Sequence, residues 1–262
     1  MRYPPFVSTP PRCIMVCCSN HWRASYDVCC GSGAMFACHQ AFTTVWTIMR
    51  SVNSRQRIID HGEVFTPPGL VNDMLDLVAH ECQRIDSRFL EPACGDGNFL
   101  AEVLRRKLLT VDKKNAHNRD KWQRDAILAV CSLYGIDLLA DNIAVCRVRL
   151  LNIVTDTHAV RFKAPWPDEA ARAAAYILSK NIVQGDALTL RTPGDGPIVF
   201  PEWSPVNGSM LKRRDFAYDQ LLNHAHMSNM PLFSDLGKDV FVPTPVGDFP
   251  PCHYLKVPDA EE

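Results

Sequence analysis

The residues best placed to do chemistry are Glu91, Gly95 and Gly97, which lie within Phe89-Leu90-Glu91-Pro92-Ala93-Cys94-Gly95-Asp96-Gly97-Asn98-Phe99-Leu100. This stretch reads as a strand, a tight glycine turn and the start of a helix. The glycines let the turn backbone approach a ligand closely, while an acid waits at the strand end. The order Glu-x-x-x-Gly-x-Gly differs from Gly-x-Gly-x-x-Gly, whose third glycine and helix terminus serve a pyrophosphate. It suits a nucleoside cofactor that carries a positive charge. Two further acids recur in the same kind of place: Asp137 closes Tyr134-Gly135-Ile136-Asp137, and Asp186 follows Asn181-Ile182-Val183-Gln184-Gly185. An acid at the tip of a second strand can accept hydrogen bonds from both hydroxyls of a ribose. A lone acid after a strand also serves as a plain helix cap.

These acids need parallel strands with helices between them. Phe99, Leu100, Val103 and Leu104 give the packing face of a helix after the glycine turn, and 126–133 reads as another. A helix carrying Ala144, Arg147 and Leu150 follows Asp137, and a loop with Pro165 and Pro167 leads to an alanine-rich helix over Asp168–Lys180. Upstream, Val71, Met74, Leu75 and Val78 recur at helical spacing, with Thr66 as the expected N-cap and Pro67 at the first helical position. The basic run Arg105, Arg106, Lys107, Lys113, Lys114, Arg119, Lys121 and Arg124 is broken by Asp112, Asp120 and Asp125. It reads as a solvated face, not a phosphate groove. Strands alternating with helices in this way predict a parallel sheet whose carboxyl edge gathers the acids.

Glu91-Pro92-Ala93-Cys94-Gly95-Asp96-Gly97-Asn98-Phe99-Leu100, with Phe65-Thr66-Pro67-Pro68 upstream and Gly135-Ile136-Asp137 downstream, resembles the S-adenosylmethionine-dependent, adenine-specific (N6) DNA methyltransferases of restriction-modification systems. The resemblance covers about residues 58–223, the cofactor-binding half of such an enzyme. It implies an α/β fold with a doubly wound, Rossmann-like methyltransferase sheet, incomplete in its C-terminal half. It implies S-adenosylmethionine as cofactor, held by Phe65, Thr66, Glu91, Ala93, Cys94, Gly95, Gly97, Phe99, Asp137 and Asp186. The implied activity is methyl transfer to the exocyclic amine of adenine in DNA, with DNA as partner. No metal is implied. The rival reading is a noncatalytic or truncated subunit that binds the cofactor or a partner without turnover.

The family's catalytic motif, Asn or Asp followed by Pro-Pro and Tyr or Phe, is missing, so the catalytic residues stay unassigned. That motif holds the amine of a flipped base through polar acceptors while the aromatic ring stacks on it. Ile198-Val199-Phe200 reads as a fourth strand, and Phe200-Pro201-Glu202-Trp203 keeps one proline and an aromatic, with Glu202 and Trp203 as a local substitute. Asp215-Phe216-Ala217-Tyr218-Asp219-Gln220-Leu221-Leu222-Asn223 resembles the lead-in, yet His224-Ala225 stands where the prolines belong. A second subunit or the missing C-terminal half is therefore the expected source of this segment and of the DNA-reading surface.

The chain has 262 residues, 47% hydrophobic and 22% charged, with a formal charge of -1. That balance excludes a strongly basic protein gripping DNA by itself. Six of the 11 cysteines precede Met49, no apolar run is long enough for a membrane span, and a cytoplasmic protein with reduced thiols is expected. Residues 1–48 show no period and read as a poorly structured extension, whose start is mis-assigned if Met49 is the natural beginning. Cys17-Cys18 and Cys29-Cys30, near His21 and His39, are spaced too closely for a usual zinc site. Residues 49–223 are expected to form the methyltransferase-like domain, and 224–262 a proline-rich tail.

Overall fold

The computed structural model describes residues 66–220 and 244–260, together with the backbone of 15–18 and 21–24. The chain divides into two units, Met1–Val64 and Phe65–Glu262. In the first, β1 (Met15–Cys18) and β2 (His21–Ala24) pair antiparallel. The cysteine and histidine side chains weighed for zinc lie outside the described residues, as do Phe65, Asn223 and His224.

The second unit opens with α1 (Pro68–Asp76) and α2 (Ala79–Cys82). The N-cap of α1 is Pro67, with no side-chain cap bond, so Thr66 lies one residue outside the cap. Val71 and Leu75 are buried, whereas Met74 and Val78 stay exposed because α1 stops at Asp76. There follow β3 (Phe89–Glu91), α3 (Asn98–Lys114), α4 (Arg119–Cys131), β4 (Leu133–Asp137), α5 (Ala140–Phe162), α6 (Asp168–Asn181) and β5 (Ile182–Gln184). α4 begins seven residues earlier than the sequence pattern predicts, because the Asn118 side chain caps it by accepting from the Lys121 N–H at 2.9 Å.

The strands β3, β4 and β5 form a parallel sheet in sequential order, so the chain is of mixed α/β class. Alternation along β4 separates two faces. Gly135 faces Cys94 and Leu100, and Cys94 meets Cys146 of α5, so α3 and α5 share that side. Tyr134 and Ile136 face the other way, into a second cluster with Ile198 and Phe200.

That second face is covered by a hairpin of β6 (Val199–Pro205) and β7 (Met210–Ala217), not by helices. The expected fourth strand is thus present, but it pairs antiparallel with β7 instead of extending the parallel sheet. Its prolines give the reason. Tyr218 N–H bonds to Ile198 O at 2.8 Å and Val206 N–H to Met210 O at 3.1 Å, which puts the even-numbered positions of β6 in the ladder and turns Pro201 and Pro205 outward. A residue without an N–H is tolerated only on such an edge. The turn at Asn207-Gly208, with Gly208 at φ 55°, returns the chain at once.

β8 (Gly247–Asp248) and β9 (Cys252–His253) add to β7, and a 3-10 helix (Tyr254–Asp259) buries Tyr254 and Val257 in the main core. Tyr254 Oη accepts from Gln123 Nε2 of α4 at 3.1 Å. Arg213 of β7 points among Phe249, Trp203 and Tyr176, at 4.3, 5.7 and 5.9 Å from the ring centroids, and its guanidinium pairs with Asp215. Among the described residues no helix is long and apolar enough to cross a membrane.

His158 of α5 is fully buried against Trp122, Phe162 and Trp166. Its Nδ1 faces Ala164 O at 3.2 Å and its Nε2 takes the Arg119 Nε–H at 3.2 Å, an arrangement that needs a neutral ring. Burial, then the Arg119 charge, pull its pKa down to about 4. An unfolded histidine protonates near 6.5, so between these values the unfolded state holds more protons. The stabilising contribution is complete above pH 6.5 and is lost as pH falls toward 4. Denaturant unfolding of wild type and His158→Gln at pH 7 and pH 5 should give a smaller pH effect in the variant. Equal slopes would show that His158 titrates normally.

Candidate ligand site at the carboxyl edge of the parallel sheet

The parallel register pairs Glu91 with Gly135 and Asp137 with Gln184, and Gly185 N–H bonds to Asp137 O at 2.9 Å. Glu91, Asp137 and Asp186 therefore follow one another along the carboxyl edge. Open α/β sheets bind ligands in this position.

The glycine turn is built by its own backbone and by two sulfurs. Cys94 N–H bonds to Ile136 O at 2.9 Å and Gly97 N–H to Cys94 O at 2.8 Å, with Gly95 at φ 52° and Gly97 at φ 86°. Side chains rarely adopt either conformation. A Cβ on Gly97 would lie 2.6 Å from Cys146 Sγ, and one on Gly135 would lie 3.0 Å from Cys94 Sγ. Cys94 and Cys146 are buried free thiols that hydrogen bond to each other, and this contact, with burial, pushes the Cys94 thiol far up. Both are therefore packing groups and not nucleophiles.

Asp137 meets the turn directly. Its Oδ2 accepts the Gly95 N–H at 2.9 Å, and its Oδ1 accepts the Leu139 N–H at 2.8 Å and Asn142 Nδ2 at 3.2 Å. A carboxylate offers about four lone-pair positions. Three are used by the protein, so the acid expected to hold two ribose hydroxyls has capacity for about one further donor. Glu91 is half-buried. Burial lifts its carboxyl above the ordinary range, against the pull of the Ala93 N–H. Asp186 is held low by the Leu188 N–H, at 2.8 Å, and by Thr189. Phe99 packs against the core from the first turn of α3, and Ala93 is exposed at the rim.

Residues that the sequence pattern did not single out complete the surroundings. Arg149 of α5 reaches buried Asp96 at 2.8 Å and Asn98 Oδ1 at 2.5 Å, pinning the turn from below. A cleft of about 320 Å³ opens between α1, α3 and α5, lined by Pro68, Asn72, Asn98, Glu102, Arg105 and Arg149. Arg147 donates to Ile182 O at 2.9 Å and Ser179 O at 2.9 Å, tying α5 to the start of β5. Only the i+3 and i+4 recurrence of α5 hinted at these arginines.

The proposed catalytic substitutes are not brought to this edge. Trp203 is buried and donates Nε1–H to Asn181 Oδ1 at 2.8 Å, so its ring cannot stack on a base. Glu202 lies between Arg88 at 2.8 Å and Arg214 at 2.5 Å. Although burial works against it, the arginines hold its carboxyl below the ordinary range. Phe200 is enclosed edge-on by Tyr134 and Tyr218. The likeness of this strand to a catalytic motif is overturned by its place in the hairpin, where alternate side chains face the core. Among the described residues no group of three or more His, Cys, Asp or Glu side chains is arranged to hold a metal ion. Comparison with known proteins gives no matching family model, no similar curated protein and no similar solved structure.

Gly97→Ala should destabilise the domain by about 1 to 3 kcal/mol through strain at positive φ, with overpacking against Cys146 adding to it. A double-mutant cycle with Cys146→Ala, followed by denaturant unfolding, separates the two effects. The cycle should show a coupling of at least about 0.5 kcal/mol. A coupling of zero would mean that the sulfur does not occupy the space of the missing side chain.

Proposed function

We propose that the chain is the cofactor-binding part of an S-adenosylmethionine-dependent, adenine-specific DNA methyltransferase of a restriction-modification system, with a Rossmann-like methyltransferase fold and a cytoplasmic setting in which its thiols stay reduced. The observation that carries this reading is the glycine turn clamped by Asp137 beside half-buried Glu91. It provides close backbone approach and negative charge for a cationic nucleoside, and no cluster of donors for a pyrophosphate. Glu91, Ala93, Cys94, Gly95, Gly97, Asp137 and Asp186 would hold the cofactor, with Phe65 and Thr66 from the preceding segment and Phe99 supporting the turn. When bound, the cofactor supplies an electrophilic methyl group. Glu91 and Asp137 orient it through its hydroxyls and charge, while Arg149 keeps the turn in shape through Asp96.

A second reading, binding without turnover, is favoured by one observation. Glu202 is ion-paired and Trp203 is buried, so no polar acceptor stands ready for the adenine amine among the described residues. The two readings meet if a second polypeptide brings the Asn-Pro-Pro-aromatic segment and the DNA-reading surface.

Calorimetry with S-adenosylmethionine tests the cofactor. Wild type should bind, and Glu91→Ala should weaken binding by about 1 to 3 kcal/mol with an unchanged melting temperature. Asp137→Ala should lose binding and melting temperature together, because it also frees the Gly95 N–H. No heat with wild type would sink the proposal. Transfer of a labelled methyl group to mixed-sequence DNA, with and without a polypeptide carrying the missing motif, then separates the readings: transfer only with that polypeptide marks a split enzyme, and transfer by neither marks a binding subunit.

A further inference from the structure

Lys107, on the third turn of α3, is fully buried. Its Nζ donates to Ile85 O at 3.1 Å, to Ser132 Oγ at 2.7 Å and to Ser87 O, and stands 5.1 Å from the centroid of the Phe89 ring. All three hydrogen-bond partners are uncharged. The charged and titratable groups around it are Asp86, Glu81 and Arg84 on the connector and α2, with the Cys82 thiol. Those acids are engaged elsewhere: Arg84 pairs with Asp86 at 3.2 Å, and Glu81 takes the Ser87 hydroxyl and His80. Two of the three lysine acceptors, Ile85 and Ser87, belong to the connector 83–88 that leads into β3. The outer side of this connector forms an open cleft of about 520 Å³ with Val78, Glu81, Arg84, Ser87, Arg88 and Phe89.

We propose that Lys107 is an acid-operated clasp: protonation of its buried ε-amino group favours release of the connector 83–88 and with it reshaping of the cleft beside Phe89. A buried ammonium without a contacting carboxylate loses its hydration and gains little in return. Three oxygen acceptors make the charge tolerable, and release of the connector lets water reach it. Burial pulls the ammonium below the ordinary lysine range, to about 7, against the attraction of Asp86 and Glu81. An exposed lysine keeps its proton to about 10.4. Between these values the released state holds one proton more than the closed state, so release becomes easier as pH falls through this window and levels off below pH 7. The proton comes from solvent, and only an N–H bond forms.

Hydrogen exchange of the amides at 84–89 in the full chain, corrected for intrinsic rates and followed from pH 9 to pH 6, tests the clasp. In wild type, protection should fall by up to about tenfold per pH unit from pH 9 to 7 and then level off. In Lys107→Met it should be independent of pH. Flat wild-type protection, or the same pH dependence in the variant, would overturn the proposal. If Lys107→Met does not fold, titration of the wild-type Lys107 signals by nuclear magnetic resonance decides. A midpoint near 7 supports the clasp, and one near 10 rules it out.

Discussion

The bond from the Gly95 N–H to the Asp137 carboxylate is the constraint on which the candidate site depends. A turn with two glycines at positive φ has many conformations open to it when the chain is unfolded, and two short backbone bonds limit them only in part. Asp137 joins that turn to the end of β4 and, through Leu139 and Asn142, to the first turn of α5. One side chain therefore fixes three elements. The same carboxylate cannot also be a fully free ligand group, so shape at this edge is obtained by using up part of its hydrogen-bonding capacity.

Much of the parallel sheet was legible in the sequence because its signals are local. Leu133 to Asp137 is an apolar run ending in an acid, and Gly95 and Gly97 mark the turn wherever the rest of the chain goes. The acids at 91, 137 and 186 could be assigned to one edge from alternation of strand and helix alone. What escaped the sequence depends on partners far away. Val199–Pro205 has strand propensity, but whether it extends one sheet or folds back into another is decided by Asn207-Gly208 and by the outward nitrogens of Pro201 and Pro205, a hairpin signal that was present and passed over. Lys107 was grouped with a solvated basic face, yet it points inward to Ile85, Ser87 and Ser132, which are brought together only by the fold. Cys146 gives no sign in the sequence that it fills the space which Gly97 leaves open.

The sheet is covered differently on its two sides. Sequential strand order places α3 and α5 on one face, as right-handed crossovers require. Covering the other face with the β6–β7 hairpin satisfies Tyr134, Ile136 and Phe200 without another crossover helix. It also sets two prolines along a strand edge, where they discourage further pairing. Tyr134 Oη donates to Pro201 O at 2.8 Å across this contact, so the outward carbonyl of that edge is occupied as well.

The docking of the 3-10 helix bears on the order in which the domain is made. Tyr254 and Val257 complete a core otherwise assembled from residues 71–211, and Tyr254 reaches Gln123, a partner 131 positions earlier. During synthesis the parallel sheet and its helices leave the ribosome first, with a gap in their packing where Tyr254 and Val257 belong. Contacts of such long sequence separation close slowly. The nascent domain must carry that open apolar seam until the last of these residues has emerged, and this is the interval in which a chaperone has most to offer it.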